Sequence, residues 1–310
     1  MPRQQLGRVN GLLQLGLAAQ DVLAPVMAGG LLAIVPLGGV LLIDVSTFVV
    51  SFLTLLIVKF PQPPLTAEGL HGRGSLRHQM GYGWRYIMAR PGLIGLLIFF
   101  AITSFLNGLI ASLIYPLILS FASAIELGII LSIAGTSLVA SSLLMSFWKG
   151  PQRRILGVLG SELVFGLGIF TIGLRPSGIV VAIGALIAHA ALPINNATNQ
   201  AIWQSKVAPD VQGRVFATRQ MIGKAMTPIA FLLAGPLADH VFNPLLTTHG
   251  ALAGSLGRVL GVGPDRGIGL LFLIMGILAL LTAVVGFLTP QLRSVEHALP
   301  DIIYSAVHQS

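Results

Sequence analysis

The sequence predicts an all-α polytopic membrane protein with eight membrane-spanning helices, and three observations carry that expectation. Hydrophobic residues make up 55% of the 310 and charged residues only 9%, with a mean hydropathy of +0.88. A soluble domain carries about 25% charged residues, so this chain lacks the polar surface that would keep it dissolved. Second, eight segments reach the roughly 20 mainly apolar residues needed to cross a bilayer. Third, lysine and arginine crowd into alternate connections between those segments. The formal charge of +8 is dispersed among the spans, which argues against nucleic acid as a partner. The expected partners are the lipid bilayer and a small-molecule solute. Zero cysteines exclude disulfides and thiolate metal sites.

Taken in order, the expected spans are 10–34, 39–58, 93–119, 125–148, 155–174, 178–203, 217–238 and 268–289. The first follows Met1-Pro2-Arg3-Gln4-Gln5, is too long for a signal peptide, and holds Asp21. Pro36-Leu37-Gly38 separates it from the second. The connection 60–92 opens with Pro61 to Pro64, and its later part mixes Arg77, Arg85 and Arg90 with Tyr82, Trp84, Tyr86 and Ile87. That composition fits a helix over 75–90 lying on the inner leaflet, arginines near lipid headgroups; a solvated linker fits it as well. Lys149-Gly150-Pro151 and Arg175-Pro176 mark the next breaks, and the Gly-rich 250–267 marks the last. Gly261-Val262-Gly263-Pro264 follows no strand, so it reads as a loop and not as a phosphate cradle.

All but three of the 18 lysines and arginines fall on one side of this layout; the exceptions are Arg175, Arg258 and Arg266. The basic side is cytoplasmic by the positive-inside rule, which puts both termini in the cytoplasm of a bacterial-type inner membrane. Trp84, Trp148 and Trp203 fall at basic-side ends, where interfacial anchors belong.

One stretch occurs twice. Gly7-Arg8-Val9 opens the first span and Gly213-Arg214-Val215 the seventh, and Gln14, Ala28-Gly29 and Leu31 recur as Gln220, Ala234-Gly235 and Leu237. Such self-similarity points to two homologous halves, a building plan of secondary transporters. The repeat step is six spans. The expected organisation is therefore a two-helix remnant of one bundle over 1–59, a central linker over 60–92, a six-helix bundle over 93–290 and a tail over 291–310. Four helices upstream of Met1 are expected to be missing, supplied by an upstream segment or by a separate partner.

Leu6-Gly7-Arg8-Val9-Asn10-Gly11-Leu12, Ala24-Pro25 through Ala28-Gly29, and Leu42-Ile43-Asp44-Val45-Ser46-Thr47-Phe48 resemble the major facilitator superfamily. So do Val207-Ala208-Pro209-Asp210-Val211-Gln212-Gly213-Arg214-Val215-Phe216-Ala217 and Ala234-Gly235-Pro236-Leu237-Ala238-Asp239. The closer resemblance is to its enterobactin-exporter and macrolide-efflux branch, and it fits the last eight of twelve helices. It implies two bundles rocking around a central cavity, driven by proton or ion gradients, and export of amphipathic molecules such as macrolides or siderophores. Two departures stand out. The Gly-Pro-x-x-Gly-Gly pattern usual in drug–proton antiporters is here Ala24-Pro25 and, after three residues, Gly29-Gly30. The loop Ser146 to Arg154 keeps the superfamily's arginine pair and lacks its aspartate.

Ionisable groups inside spans are costly, about 2.5–3.5 kcal/mol at a helix centre, and usually face the bundle interior. Asp21, near the midplane, is a candidate for coupling to protons or to a cationic solute, or else an acid satisfied by neighbouring helices. His189 is a candidate relay, or a packing residue with one satisfied nitrogen. Asn107, and Asn196 with Gln200 one turn further on the same face, could wet a cavity or bond across helices. Arg8 and Arg214 stand at matching helix feet. With Arg153, Arg154 and a Glu162 expected to pair with one of them, they are candidates for a cytoplasmic gate; plain positive-inside anchoring would explain the arginines equally. Asp44 reads as structural. No hydrolytic triad, metal cluster or phosphate loop is present in the sequence, so no enzyme activity, cofactor or metal is expected. The function expected is efflux of small amphipathic molecules, the alternatives being a non-transporting fragment, a subunit needing a four-helix partner, or a solute importer.

Overall fold

The computed structural model describes residues 35–58, 76–148, 150–263 and 265–298, together with 9, 10, 12, 13, 15–17, 19, 20 and 31. Among them every regular element is helical, and seven helices are long and apolar enough to cross a membrane. The chain is an integral membrane protein of the polytopic α class. Most of the first expected span, with Asp21 and Arg8, lies outside the described residues.

Helix α1 runs Leu37–Ile57 behind Pro36, whose fixed φ suits a helix start. None of Gly38–Ile57 is buried within the protein. Its hydroxyls turn back on their own helix: Ser46 donates to the Leu42 carbonyl at 2.6 Å and Thr47 to the Asp44 carbonyl at 2.8 Å. The Asp44 carboxylate is exposed and receives neither of them.

Helix α2, Leu76–Met88, is amphipathic. It buries Tyr86 and Ile87 and leaves Trp84, Arg85 and Met88 exposed. Rather than resting only on lipid, it lies against a later helix, α7 (Gln212–Pro236), at a point where Gly83 lets its backbone approach the Arg214 carbonyl.

The remaining spans are α3 (Pro91–Leu119), α4 (Ala124–Phe147), α5 (Arg154–Leu174), α6 (Gly178–Lys206), α7 and α8 (Arg266–Leu288). Pro91 opens α3 at a position where its missing N–H costs nothing. A capping box starts α4: the Glu126 N–H donates to Ser123 Oγ at 3.3 Å, and the Ser123 N–H donates to Glu126 Oε2 at 2.8 Å. Beyond Pro236, α7 loosens into a π turn over Leu237–Phe242 before Asn243–Leu245. The loop that follows turns on Gly261 (φ 87°) and Gly263 (φ 149°).

Helix α5 is the central column and packs along both α6 and α8. Gly168 and Gly184 bring α5 and α6 into backbone contact, and Gly173 and Gly276 do the same between α5 and α8. Small residues are used this way in lipid, where apolar surface alone gives helices no reason to associate. Ser137 donates to the Leu186 carbonyl at 2.7 Å, and Ser141 to that of Ala190, joining α4 to α6. Helix α7 packs on α3. Among the described helices, α6 lies close on α4 and α5 but stands off α3 and α7, and a cavity fills that gap.

Two apolar clusters flank the gap. One is built on Leu106, Leu113, Phe165, Ile169 and Phe272. The other gathers the ends of the helices around Tyr86, Leu96, Ile155, Trp203, Val215, Leu292 and Val295, and is called here the basic end.

One expectation needs correcting at that end. Trp203 is no interfacial anchor: it is fully buried in the basic-end cluster, whereas Trp84 and Trp148 are exposed. Arg219 and Lys206, both counted on the basic side, are packed there within the protein, 5% and 2% exposed. The reason is helix length. Helix α6 runs on to Lys206 and α7 starts at Gln212, so both carry their polar ends as packed helix rather than as loop.

Candidate functional site

The gap between α3, α6 and α7 is a cavity of about 300 Å³, at the small end of ordinary ligand sites. Helix α3 contributes Phe99, Phe100, Thr103, Ser104 and Asn107; α6 contributes Leu192, Asn195, Asn196 and Asn199; α7 contributes Thr227. Its walls are amphipathic: two aromatic rings and a leucine among seven hydroxyl or amide side chains. Pro193 interrupts the α6 ladder beside these residues, and the asparagines at 195, 196 and 199 follow within two turns.

Of the residues expected from sequence, Asn107 and Asn196 line this cavity. Asn107 Nδ2 donates to the Thr103 carbonyl at 2.9 Å, which fixes the amide with its oxygen to spare. Gln200 sits one turn below Asn196, and its Oε1 accepts from Arg219 Nη1 at 2.9 Å. His189 does not line the cavity; Nδ1 donates to the Ala185 carbonyl at 2.9 Å on its own helix. That bond satisfies one of its two ring nitrogens. Asp21 and Arg8 lie outside the described residues.

The expected latch between Glu162 and the arginine pair is not formed. Glu162 is fully buried and its Oε2 accepts from Asn195 Nδ2 at 3.0 Å, one layer behind the cavity wall. The Thr103 hydroxyl, which donates to the Phe99 carbonyl at 2.9 Å, sits beside it. The physical reason is register. Glu162 lies two turns inside α5, whereas Arg153 is the exposed residue before that helix and Arg154 its first. Arg154 Nη1 instead donates to the Ala201 carbonyl at 3.3 Å, tying α5 to α6. Arg214 is half-buried near the foot of α7, where its carbonyl accepts from the Thr218 hydroxyl at 3.0 Å.

Three features of the site went unseen in the sequence. First, Asn195 serves both sides of the wall, facing the cavity and bonding Glu162. Second, Arg219 lies seven residues into α7, about 10 Å at 1.5 Å per residue. Its guanidinium carbon is 4.7 Å from the centroid of Phe100 and 5.2 Å from that of Trp203. Each such contact stabilises a desolvated cation by about 2 kcal/mol, which together with Gln200 holds a buried charge in place. Phe100 thus both lines the cavity and meets Arg219, and its ring rests on Gly223, where a Cβ would collide with it.

Third, the tail closes the basic end. The Ile155 N–H donates to Glu296 Oε2 at 3.1 Å, which caps α5 with a carboxylate where the helix dipole favours one. Lys206 Nζ donates to the Glu296 carbonyl, and Leu292 and Val295 are buried beneath.

Comparison with known proteins adds what geometry does not. The sequence profile described as Major Facilitator Superfamily matches residues 1–231. Macrolide efflux protein A of Streptococcus pyogenes is 24% identical over 246 residues, which cover 78% of this chain and 60% of that protein. Macrolide efflux protein A of Enterococcus faecalis is 24% identical over 234 residues, covering 74% of this chain and 72% of that protein. The chain thus aligns with 60% of the length of the Streptococcus pyogenes proteins. No solved structure matches it.

Proposed function

The chain belongs to the Major Facilitator Superfamily, and from that premise we propose that it exports small amphipathic molecules of the drug, macrolide or siderophore class by alternating access. The family is one of transporters, not of enzymes. The observation that carries the reading is the amphipathic cavity between α3, α6 and α7. Rings and alkyl groups of a solute would lie on Phe99, Phe100 and Leu192, and its polar atoms would meet the amides of Asn107, Asn196 and Asn199. The relatives named macrolide efflux proteins support the direction of transport.

In this reading the six helices α3 to α8 form one bundle of the transporter, and 1–59 belongs to the other. The basic end faces the cytoplasm of a bacterial cell, as the lysine and arginine bias requires. Arg214, Arg153 and Arg154, with Arg8 as the sequence match of Arg214, are the gate of that side in this reading, and protons are the coupling ion, with Asp21 a candidate carrier.

The test is expression of the native reading frame in a bacterial host stripped of its own efflux pumps. Tolerance and intracellular accumulation are measured for a macrolide, a catecholate siderophore and a lipophilic dye. The expected result is raised tolerance with lowered accumulation, both lost when Asn107 and Asn196 become alanine at unchanged protein level. Unaltered tolerance and accumulation across the whole panel would sink the proposal.

A further inference from the structure

Arg219 is a buried cation that forms no ion pair among the described residues. One of its donors reaches Gln200 at 2.9 Å, and its Nε–H is buried without an acceptor. Beside it, the indole Nε1–H of Trp203 is also buried without an acceptor, with the guanidinium carbon 5.2 Å from the centroid of that ring. Cation–π contact offsets part of the desolvation of Arg219, but it leaves both N–H groups unsatisfied. Buried donors are rarely left so, and an oxyanion is the acceptor that suits a donor carried by a buried cation. Phe100 both lines the cavity and carries the Arg219 guanidinium over its ring, and that ring rests on Gly223.

We propose that Arg219 and the Trp203 indole form an anion-recognising subsite at the basic end of the cavity, reached when Phe100 swings aside, and that it takes the carboxylate or a related oxyanion of an amphipathic solute. This rests on the reading of the cavity as a solute path and adds to its solutes a class carrying an acidic group. The apolar part of such a molecule stays on Phe99 and Leu192, and its charge displaces the phenyl ring from the guanidinium. Gln200 is a positioning residue: its oxygen holds one edge of the guanidinium and leaves the Nε edge for the ligand.

The experiment is equilibrium binding to the purified native chain in phosphatidylcholine nanodiscs. The probes are three near-isosteric naphthalenes: 2-naphthylacetate, 2-naphthylacetamide and 2-(2-naphthyl)ethylammonium. The carboxylate is expected to bind about tenfold or more tightly than the other two, the ratio that follows when a hydrogen bond to a charged group replaces one between neutral groups. Arg219→Gln should abolish that preference while leaving binding of the amide unchanged, and Arg219→Lys should retain part of it. Trp203→Phe, which keeps the packing and removes the indole donor, should reduce the preference without touching the amide. Equal affinity of the native chain for all three probes would overturn the subsite, whatever Arg219→Gln does to thermal stability. Discs containing phosphatidylglycerol separate two sources of the anion. Unchanged probe affinity supports a dissolved solute, whereas competition by this lipid overturns that assignment in favour of a headgroup. The efflux assay fails independently: a binding preference with no efflux keeps the subsite and removes the exporter, and efflux with no binding preference does the reverse.

Discussion

Asn195 joins two environments with one amide, since it borders the cavity and donates at 3.0 Å to a carboxyl buried behind it. Asn195→Leu should therefore strand Glu162 and lower stability by about 1–3 kcal/mol, read as a fall in the thermal unfolding midpoint in detergent. The double change Glu162→Leu with Asn195→Leu should lose less than that single change, because removing both partners leaves no orphan. A double variant as unstable as the sum of the singles would show that the bond contributes nothing of its own. Part of this was legible in the sequence. Asn107 and Asn196 stood out because an amide on an apolar helix needs a partner or a wet surface. The Glu162 to Asn195 bond did not, because it depends on how α5 and α6 slide past each other, which no local pattern encodes. The burial of Arg219 was not legible either, for a simpler reason: hydropathy begins the span at 217, whereas the helix begins at Gln212.

The helices show where that register comes from. A Cβ at Gly168 would fall against the backbone of Gly184 and Ala188, and one at Gly184 against Gly168. Gly168→Leu should force α5 from α6 and cost about 1–3 kcal/mol or more, seen as loss of monodisperse protein; unchanged elution and midpoint would refute the close approach. The tail is testable in the same way. Glu296→Ala removes the carboxylate that caps α5 and should lower the unfolding midpoint by the equivalent of about 1 kcal/mol, whereas Glu296→Gln should recover part of it. Spans α1 and α3 to α8 were legible from apolar length alone, because the bilayer sets that length. The extension of α6 to Lys206 and the early start of α7 were not, since those turns are polar outside and packed within the protein. Composition also left open what the helix near 75–90 rests on; burial of Tyr86 and Ile87 shows that protein covers one face of α2.

At the scale of the whole molecule the topology proposed from the lysine and arginine bias puts the basic end in the cytoplasm. A green fluorescent protein fused after the C-terminus should therefore fluoresce, and an epitope placed in the 247–256 loop should be reached by antibody on intact spheroplasts; the opposite pair of results would invert the topology. Membership of the superfamily was legible in motif order, because loops and helix feet carry its polar signatures. The cavity was not, because it arises where α6 stands off α3 and α7. That cavity as a solute path is the central claim, and the absence of native cysteine makes it directly measurable. Asn107→Cys, Asn196→Cys and Leu232→Cys, the last at a mid-helix position 76% exposed and away from the cavity, would each be reacted with a water-soluble maleimide in membranes, with and without an exported solute. The account predicts that the cysteines at 107 and 196 are alkylated and that the solute slows both, while the one at 232 stays inert. Cysteines at 107 and 196 as unreactive as the one at 232, or alkylated at a rate the solute does not change, would contradict it.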